Sequence, residues 1–293
     1  MSVVAVPNVS VGSNEKLVAD LAEAVAACGA LVLDTHSDAV HERTVFTVAG
    51  STESLVEAMT ALAIESKRLD LTEQQGVHPR TGVLDVCPYV PHGESMQIAV
   101  DAARRTGTLI AERAGLPVYL YGEAALRPGT RVLPDLRRGG LEALRRRSTL
   151  GLPPDFGDAE VTRAWGAVCV GARHVLIAFN VWLDCEPEVA RAVAARVRES
   201  GGGLTGVRAL GLVIDPPRTC QVSMNLTKPT ATGIDVAFEA VAAAARAQDA
   251  SILATEIVGL PPRRFLPSPD AQATRLLQEP SRSLESALAA AGL

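Results

Sequence analysis

Two successive runs of strand, helix, strand, strand, helix, strand predict an α+β fold made of two subdomains. Each run is the order of a ferredoxin-like βαββαβ sandwich, so the expected architecture is a duplicated sandwich with a cleft between the two copies. A third observation separates them. Residues 127–157 hold Pro128, Gly129, Pro134, Gly139, Gly140, Gly151, Pro153, Pro154 and Gly157, which places the join between about 125 and 180. The expected subdomains are residues 1–175 and 176–293, the second ending in a polar tail. No residue-level repeat accompanies the repeated element order.

The first run opens with Val3-Val4-Ala5-Val6, a short apolar strand stopped by Pro7. Asn14 caps a helix with Leu17, Val18, Leu21 and Val25 on one face, and Gly29 ends it. Ala30–Leu33 is the second strand, and Arg43–Ala49, rich in Thr and Val, the third. Ser51 or Thr52 caps a helix carrying Leu55, Met59, Leu62 and Leu69. Val83–Cys87 is the fourth strand; a helix over about 94–114 and a strand at Val118–Tyr121 extend the unit. In the second run, His174–Leu183 is a strand and Glu186–Glu199 an amphipathic helix. Val207–Ile214 and Thr219–Leu226 form a hairpin around Asp215-Pro216-Pro217-Arg218. Ile234–Gln248 is an Ala-rich helix, Ser251–Val258 the last strand, and Ser283–Ala291 a short terminal helix.

The composition excludes several classes. The 293 residues are 47% hydrophobic, enough for a full core, and carry a net charge of −5. No basic field favours nucleic acid, and 3% aromatics leave little for base stacking. No run of about 18 apolar residues exists to span a bilayer. Met1-Ser2-Val3-Val4 lacks the features of a secretory leader. The five cysteines (Cys28, Cys87, Cys169, Cys185, Cys220) are odd in number and widely spaced, the usage of reduced thiols in a cytoplasmic protein.

The chemistry concentrates in Gly76-Val77-His78-Pro79-Arg80-Thr81-Gly82-Val83-Leu84-Asp85. A histidine on a loop shaped by glycine and proline, leading into a buried strand, suits proton transfer near neutral pH. Asp85 suits orienting that histidine or binding an amine; a salt bridge to Arg80 is the plainer alternative. Asp34–Arg43 holds two histidines and three acids before Arg43, but no defensible zinc spacing. A polar loop between strands is its plainer reading. Arg43 begins a strand, where its fork suits a carboxylate. The seven arginines of 127–157 read as a solvated helix and linker, with attraction of an anionic substrate as the alternative. The small residues of Gly166-Ala167-Val168-Cys169-Val170-Gly171-Ala172-Arg173 suit either a tight turn or close approach of a flat ligand. They are not a dinucleotide fingerprint, and neither a phosphate-binding loop nor a Gly-x-Ser-x-Gly elbow occurs.

Several segments together resemble the glutamate formiminotransferase family, whose unit in animals is fused to a cyclodeaminase. They are Val6-Pro7-Asn8-Val9-Ser10-Val11-Gly12, His41-Glu42-Arg43-Thr44-Val45, His78-Pro79-Arg80 through Pro88 and Pro91, Tyr119-Leu120-Tyr121-Gly122-Glu123-Ala124-Ala125, Pro154-Asp155-Phe156-Gly157, and Gly166 to Asn180. The resemblance covers about residues 3–260. It implies His78 as the catalytic acid/base, and folate contact along Gly166, Ala167, Val168, Cys169, Val170, Gly171, Ala172, Arg173, His174 and Val175. It implies tetrahydrofolate as co-substrate and a homodimer. The candidate substrate-binding residues are Asn8, Arg43, Arg80, Asp85, Tyr121 and Glu123, with Arg43 or Arg80 suited to a glutamate carboxylate and Glu123 or Asp85 to the amidinium or the His78 ring; no metal is required, and the composition adds the expectation of a cytoplasmic protein with no nucleic-acid or membrane partner. The implied reaction moves a formimino group from N-formimino-L-glutamate to N5 of tetrahydrofolate, as in histidine degradation. The length leaves no room for a cyclodeaminase domain, so release of ammonia is not expected. An N-formylglutamate-dependent transferase and a non-catalytic folate-binding protein are the alternatives. The family often has Glu where Val77 stands and Asn where Glu42 stands.

Overall fold

A computed structural model describes residues 3–73, 76–77, 79–93, 95–215 and 218–293. The chain divides into two compact units, Met1–His174 and Val175–Leu293.

In the first unit, β1 (Val3–Ala5) and β2 (Asn8–Val9) are one strand interrupted at Pro7. Then come α1 (Glu15–Ala26), β3 (Leu31–Asp38), β4 (Arg43–Ala49), α2 (Thr52–Ser66), β5 (Leu84–Pro91), α3 (Met96–Leu109) and β6 (Val118–Gly122). The short α4 (Pro128–Arg131) and α5 (Leu133–Leu136) precede α6 (Gly140–Leu150) and β7 (Val168–Ala172). Helices α1, α2 and α3 begin where side chains satisfy free amides. Asn14 Oδ1 accepts from Leu17 N at 3.0 Å, and Ser51 Oγ from Ser54 N at 3.1 Å. Ser95 Oγ caps α3 in the same way at 3.1 Å. The last turn of that helix widens over Ile110–Ala114 and stops at Gly115, at φ 64°.

These strands form one sheet in the order β3–β4–β1/β2–β5–β7–β6. The β3, β4, β1/β2 and β5 neighbours are antiparallel, whereas β7 runs parallel to β5 and β6. Phe46, Val48, Leu84, Cys87, Tyr89, Leu120, Val168 and Val170 share a core with Leu21, Leu55, Met59, Leu62 and Ala103 of α1–α3. On the other face Val86, Tyr119, Tyr121, Ala167 and Cys169 pack with Leu136, Leu144 and Val161. Strand alternation divides these side chains between the two faces.

The second unit comprises β8 (Ile177–Asp184), α7 (Pro187–Val197), β9 (Val207–Asp215), β10 (Thr219–Leu226), α8 (Ile234–Arg246) and β11 (Ser251–Val258), then α9 (Gln272–Arg275) and α10 (Leu284–Ala290). Its sheet is antiparallel in the order β11–β8–β10–β9. Phe179, Val181, Leu183, Val222, Met224 and Leu226 share its core with Val193, Phe238 and Val241.

The α+β class and the two-unit organisation hold. Two expectations need correction. The second strand runs to Asp38, so Asp34, His36 and Asp38 pair with Thr47, Val45 and Arg43 rather than lying on a loop. Cross-strand partners on β4 supply the hydrogen bonds that local polarity hides. The segment from Gly166 is likewise more than a turn, because Val168–Ala172 is a buried strand paired on both edges. His78, Pro216 and Pro217 lie outside the described residues. No helix among those described is long and apolar enough to cross a membrane.

Candidate active site

On the face of the first sheet opposite α1–α3, neighbouring strands gather charged side chains. Val9 enters the core, so alternation turns Asn8 the other way. Asn8 Nδ2 donates to Val6 O at 2.9 Å, and its Oδ1 accepts from Arg43 Nη2. Arg43 enters from the start of β4. Burial of its guanidinium lowers its pKa to about 10, against the attraction of Asp85, so it stays cationic at neutral pH. Asp85 arrives through a bulge: Asn8 stands opposite Val86 and Val9 opposite Leu84, which leaves Asp85 as the extra residue. Such an insertion re-aims a side chain.

Asp85 is well held, with 4% of its side chain exposed. Its Oδ1 accepts from Thr81 N at 2.7 Å and Thr81 Oγ1 at 3.0 Å. Its Oδ2 accepts from Arg137 Nη2 at 2.6 Å, and the same nitrogen donates to Pro79 O at 2.5 Å. Arg43 also feels the charges of Arg137 and Arg80. Burial lowers the Arg80 pKa as well, while Asp85 and Glu42 hold it up. Three guanidiniums against two carboxylates, Asp85 and Glu42, leave a positive surplus in a half-dry setting, where an incoming anion is attracted more strongly than in water.

The loop carrying His78 is tied on both sides. His78 itself is outside the described residues. Gly76 has no alternative: a Cβ there would lie 2.1 Å from Arg80 Nη2 and 2.6 Å from His41 O. Val77 is exposed, and its N donates to Val40 O at 3.2 Å. Glu42 sits at φ 47°, a left-handed conformation that Asn adopts more readily. Its two carboxylate oxygens accept from Gly12 N at 3.0 Å and Ser13 N at 3.1 Å. The Glu42 charge is therefore bound to main-chain amides.

The remaining candidates divide. Tyr121 lies on β6 within electrostatic reach of Arg43 and Arg173. Burial pushes its hydroxyl pKa up, so it is a neutral donor or acceptor. Glu123 is exposed; it pairs with Arg131 at 2.8 Å, and its N donates to Ala172 O at 2.8 Å. Of the 166–175 segment, Ala167–Ala172 are buried, Gly166 turns at φ 67° against Thr81 O, and Arg173, His174 and Val175 are partly or well exposed. Asp38 and His41 pair at 2.8 Å, and among the described residues no group of three His, Cys, Asp or Glu side chains is arranged to hold a metal.

The sequence pattern of the formiminotransferase domain, N-terminal subdomain, matches residues 2–173, and that of the formiminotransferase domain matches residues 178–273. The chain belongs to the formiminotransferase family. The formimidoyltransferase-cyclodeaminase of Sus scrofa is 38% identical over 271 residues, covering 89% of this chain and 50% of that protein. The glutamate formimidoyltransferase of Streptococcus pyogenes serotype M1 is 34% identical over 266 residues, 89% of each chain. That of Thermoplasma acidophilum is 35% identical over 268 residues, 89% of this chain and 88% of the other. The chain thus spans about half the length of the formimidoyltransferase-cyclodeaminases it matches. Among formiminotransferase features that the sequence reading missed, Arg137 and Thr81 stand out, since both bond Asp85. Arg137 was one of seven arginines in a polar run, and nothing local distinguished it.

Proposed function

We propose that this formiminotransferase is a glutamate formimidoyltransferase, moving the formimino group of N-formimino-L-glutamate to N5 of tetrahydrofolate. The observation that carries the reading is the partly buried cluster of Arg43, Arg80 and Arg137 around the buried Asp85, beside His78 in the chain, in a protein that aligns with nine-tenths of two glutamate formimidoyltransferases. A glutamate donor brings carboxylates, and guanidinium forks bind carboxylates with paired, charge-assisted hydrogen bonds. Arg43 and Arg80 are the residues for that task, with Asn8 steering Arg43.

The reaction needs one proton removed from the attacking N5 and one delivered to the departing glutamate nitrogen. In this reading His78 does both in turn, a contribution of roughly 10²–10⁴-fold. Asp85 and Glu123 are the carboxylates suited to the amidinium cation of the donor, and Tyr121 donates or accepts as a neutral group. Of the Gly166–Val175 segment, the part open to folate is Arg173, His174 and Val175, beyond the buried strand, and alignment of N5 with the donor carbon supplies much of the rate. The common strand order of the two sheets supports a duplicated ferredoxin-like unit. The homodimer rests on the family resemblance and the cytoplasmic setting on the composition.

The test is formation of 5-formiminotetrahydrofolate from purified protein and both substrates, with N-formylglutamate as a competing donor. His78→Ala is expected to lower kcat roughly 10²–10⁴-fold at unchanged melting temperature. A folded variant with wild-type turnover ends the assignment.

A further inference from the structure

Arg137 bonds both Pro79 and Asp85 without belonging to the segment that joins them. It follows directly on α5, whose Leu136 is fully buried with Tyr119, Tyr121 and Cys169. The main chain on either side is fixed by Arg147, which donates to Asp135 O at 3.1 Å, Leu136 O at 2.7 Å and Arg138 O at 3.0 Å. From this braced position one nitrogen, Nη2, reaches Pro79 O and Asp85 Oδ2. Asp85 in turn holds Thr81 by its amide and hydroxyl. The chain from Pro79 to Thr81 is therefore gripped at both ends, immediately after His78. Arg137 Nε is buried and has no partner among the described residues, so its position follows from the Nη2 bonds rather than from a full set of its own.

We infer that Arg137 is a positioning residue that clamps the loop bearing His78, an inference that rests on His78 as the acid/base. Breaking the Pro79 bond removes one anchor of the backbone next to the reacting group, and a displacement of about 1 Å costs on the order of 10²-fold in rate. The donor carboxylates are assigned to Arg43 and Arg80, so the loss falls on kcat. A single nitrogen makes both bonds, and an ammonium carries three N–H donors, so lysine is the conservative replacement.

The experiment compares Arg137→Met and Arg137→Lys for steady-state kinetics, and for hydrogen–deuterium exchange of peptides spanning residues 76–85. Arg137→Met is expected to lower kcat roughly 10–100-fold, to move the donor KM less than about threefold, and to speed exchange in that segment alone. Arg137→Lys is expected to keep kcat within about threefold of the parent. Should Arg137→Met fail to fold, Arg137→Lys decides. A lysine variant that folds yet loses activity as severely as removal of the site predicts, or a Met variant with parental kcat and parental exchange, overturns the clamp. His78→Ala separates the two readings. If it keeps turnover, the assignment of His78 fails, and exchange at 76–85 still decides whether Arg137 holds the loop.

Discussion

The two sheets share a plan and differ in what they do with the face turned from their core helices. In each, the fourth strand of the βαββαβ order lies beside the first, the first beside the third, and the third beside the second. The first sheet adds β7 and β6 and lays α5 and α6 on that face, and its polar residues there are tied together: Asn8 to Arg43, Thr81 and Arg137 to Asp85. In the second sheet, Asn180, Trp182 and Gln221 take the corresponding alternation, since Phe179, Val181, Cys220 and Val222 point to its core. Asn180 Nδ2 donates to Glu256 at 2.8 Å. Gln221, however, has neither amide atom bonded to another described residue, and Trp182 Nε1 is in the same condition directly across the ladder. In the first sheet the additional elements bring Arg137 onto this face and tie it to Asp85. The second sheet keeps polar groups in reserve.

The largest stability effect expected from that contrast is at Asp85. Asp85→Ala removes the only carboxylate that bonds Arg137 among the described residues, and leaves Arg43 and Arg137 as buried like charges. Loss of one partner from a buried pair costs about 3–5 kcal/mol. Chemical denaturation measures this, and a change below about 1 kcal/mol would show that the arginines find water instead.

The network also has a pH signature. Burial lowers the folded-state pKa of Arg43 to about 10, below its unfolded value. Between the two values the unfolded chain binds the extra proton, so this group adds stability as pH rises. Carboxylate binding runs the other way, because it needs the cation. The donor KM is expected to climb with a limiting slope of one decade per pH unit above about 10, followed at saturating tetrahydrofolate. A flat donor KM through pH 10.5 removes Arg43 from the donor site. Arg43→Lys, with its higher hydration and single point charge, should raise the donor KM at every pH.

Much of this plan was legible in the sequence. Caps at Asn14 and Ser51, apolar stripes and β-branched runs located most elements, because each signal is local. The cysteines and composition bounded the class for the same reason. The extent of β3 was hidden, since the hydrogen bonds that keep polar Asp34–Asp38 extended come from β4. The strand nature of Val168–Ala172 was hidden by its small residues, which only make sense once β5 and β6 flank it. Arg43 and Asp85 stood out by residue type and by their place at a strand start and after a Gly/Pro loop, whereas Tyr121 drew notice only through the family resemblance. Arg137 lies 52 residues from Asp85, and the packing of Leu136 and Leu144 against β6 and β7 is what brings it there.

The reserve in the second sheet gives a smaller prediction of opposite sign. Gln221 is fully buried with an unbonded amide. Replacing it with Met keeps the volume and removes two polar atoms that have lost water. Gln221→Met is expected to raise stability by about 1 kcal/mol in thermal denaturation of the substrate-free chain. A loss of more than 1 kcal/mol would mean that the amide is satisfied and that the contrast between the sheets is weaker than drawn.

The smallest effect is expected at Glu42, a non-glycine residue held at positive φ. Glu42→Asn relieves a left-handed φ of 47°, which is worth a few tenths of a kcal/mol or more for a residue enriched in that region. It also shortens the side chain, so one of the two bonds from Gly12 N and Ser13 N is lost, at about 0.5–1.5 kcal/mol. The two terms oppose, and stability should change by less than about 1 kcal/mol. The charge term is separate. Glu42 attracts Arg80, and its removal leaves more of the Arg80 cation for a donor carboxylate, so the donor KM should fall about twofold. If Glu42→Asn instead lowers kcat more than tenfold, its carboxylate takes part in the reaction and is not confined to the Gly12–Ser13 amides.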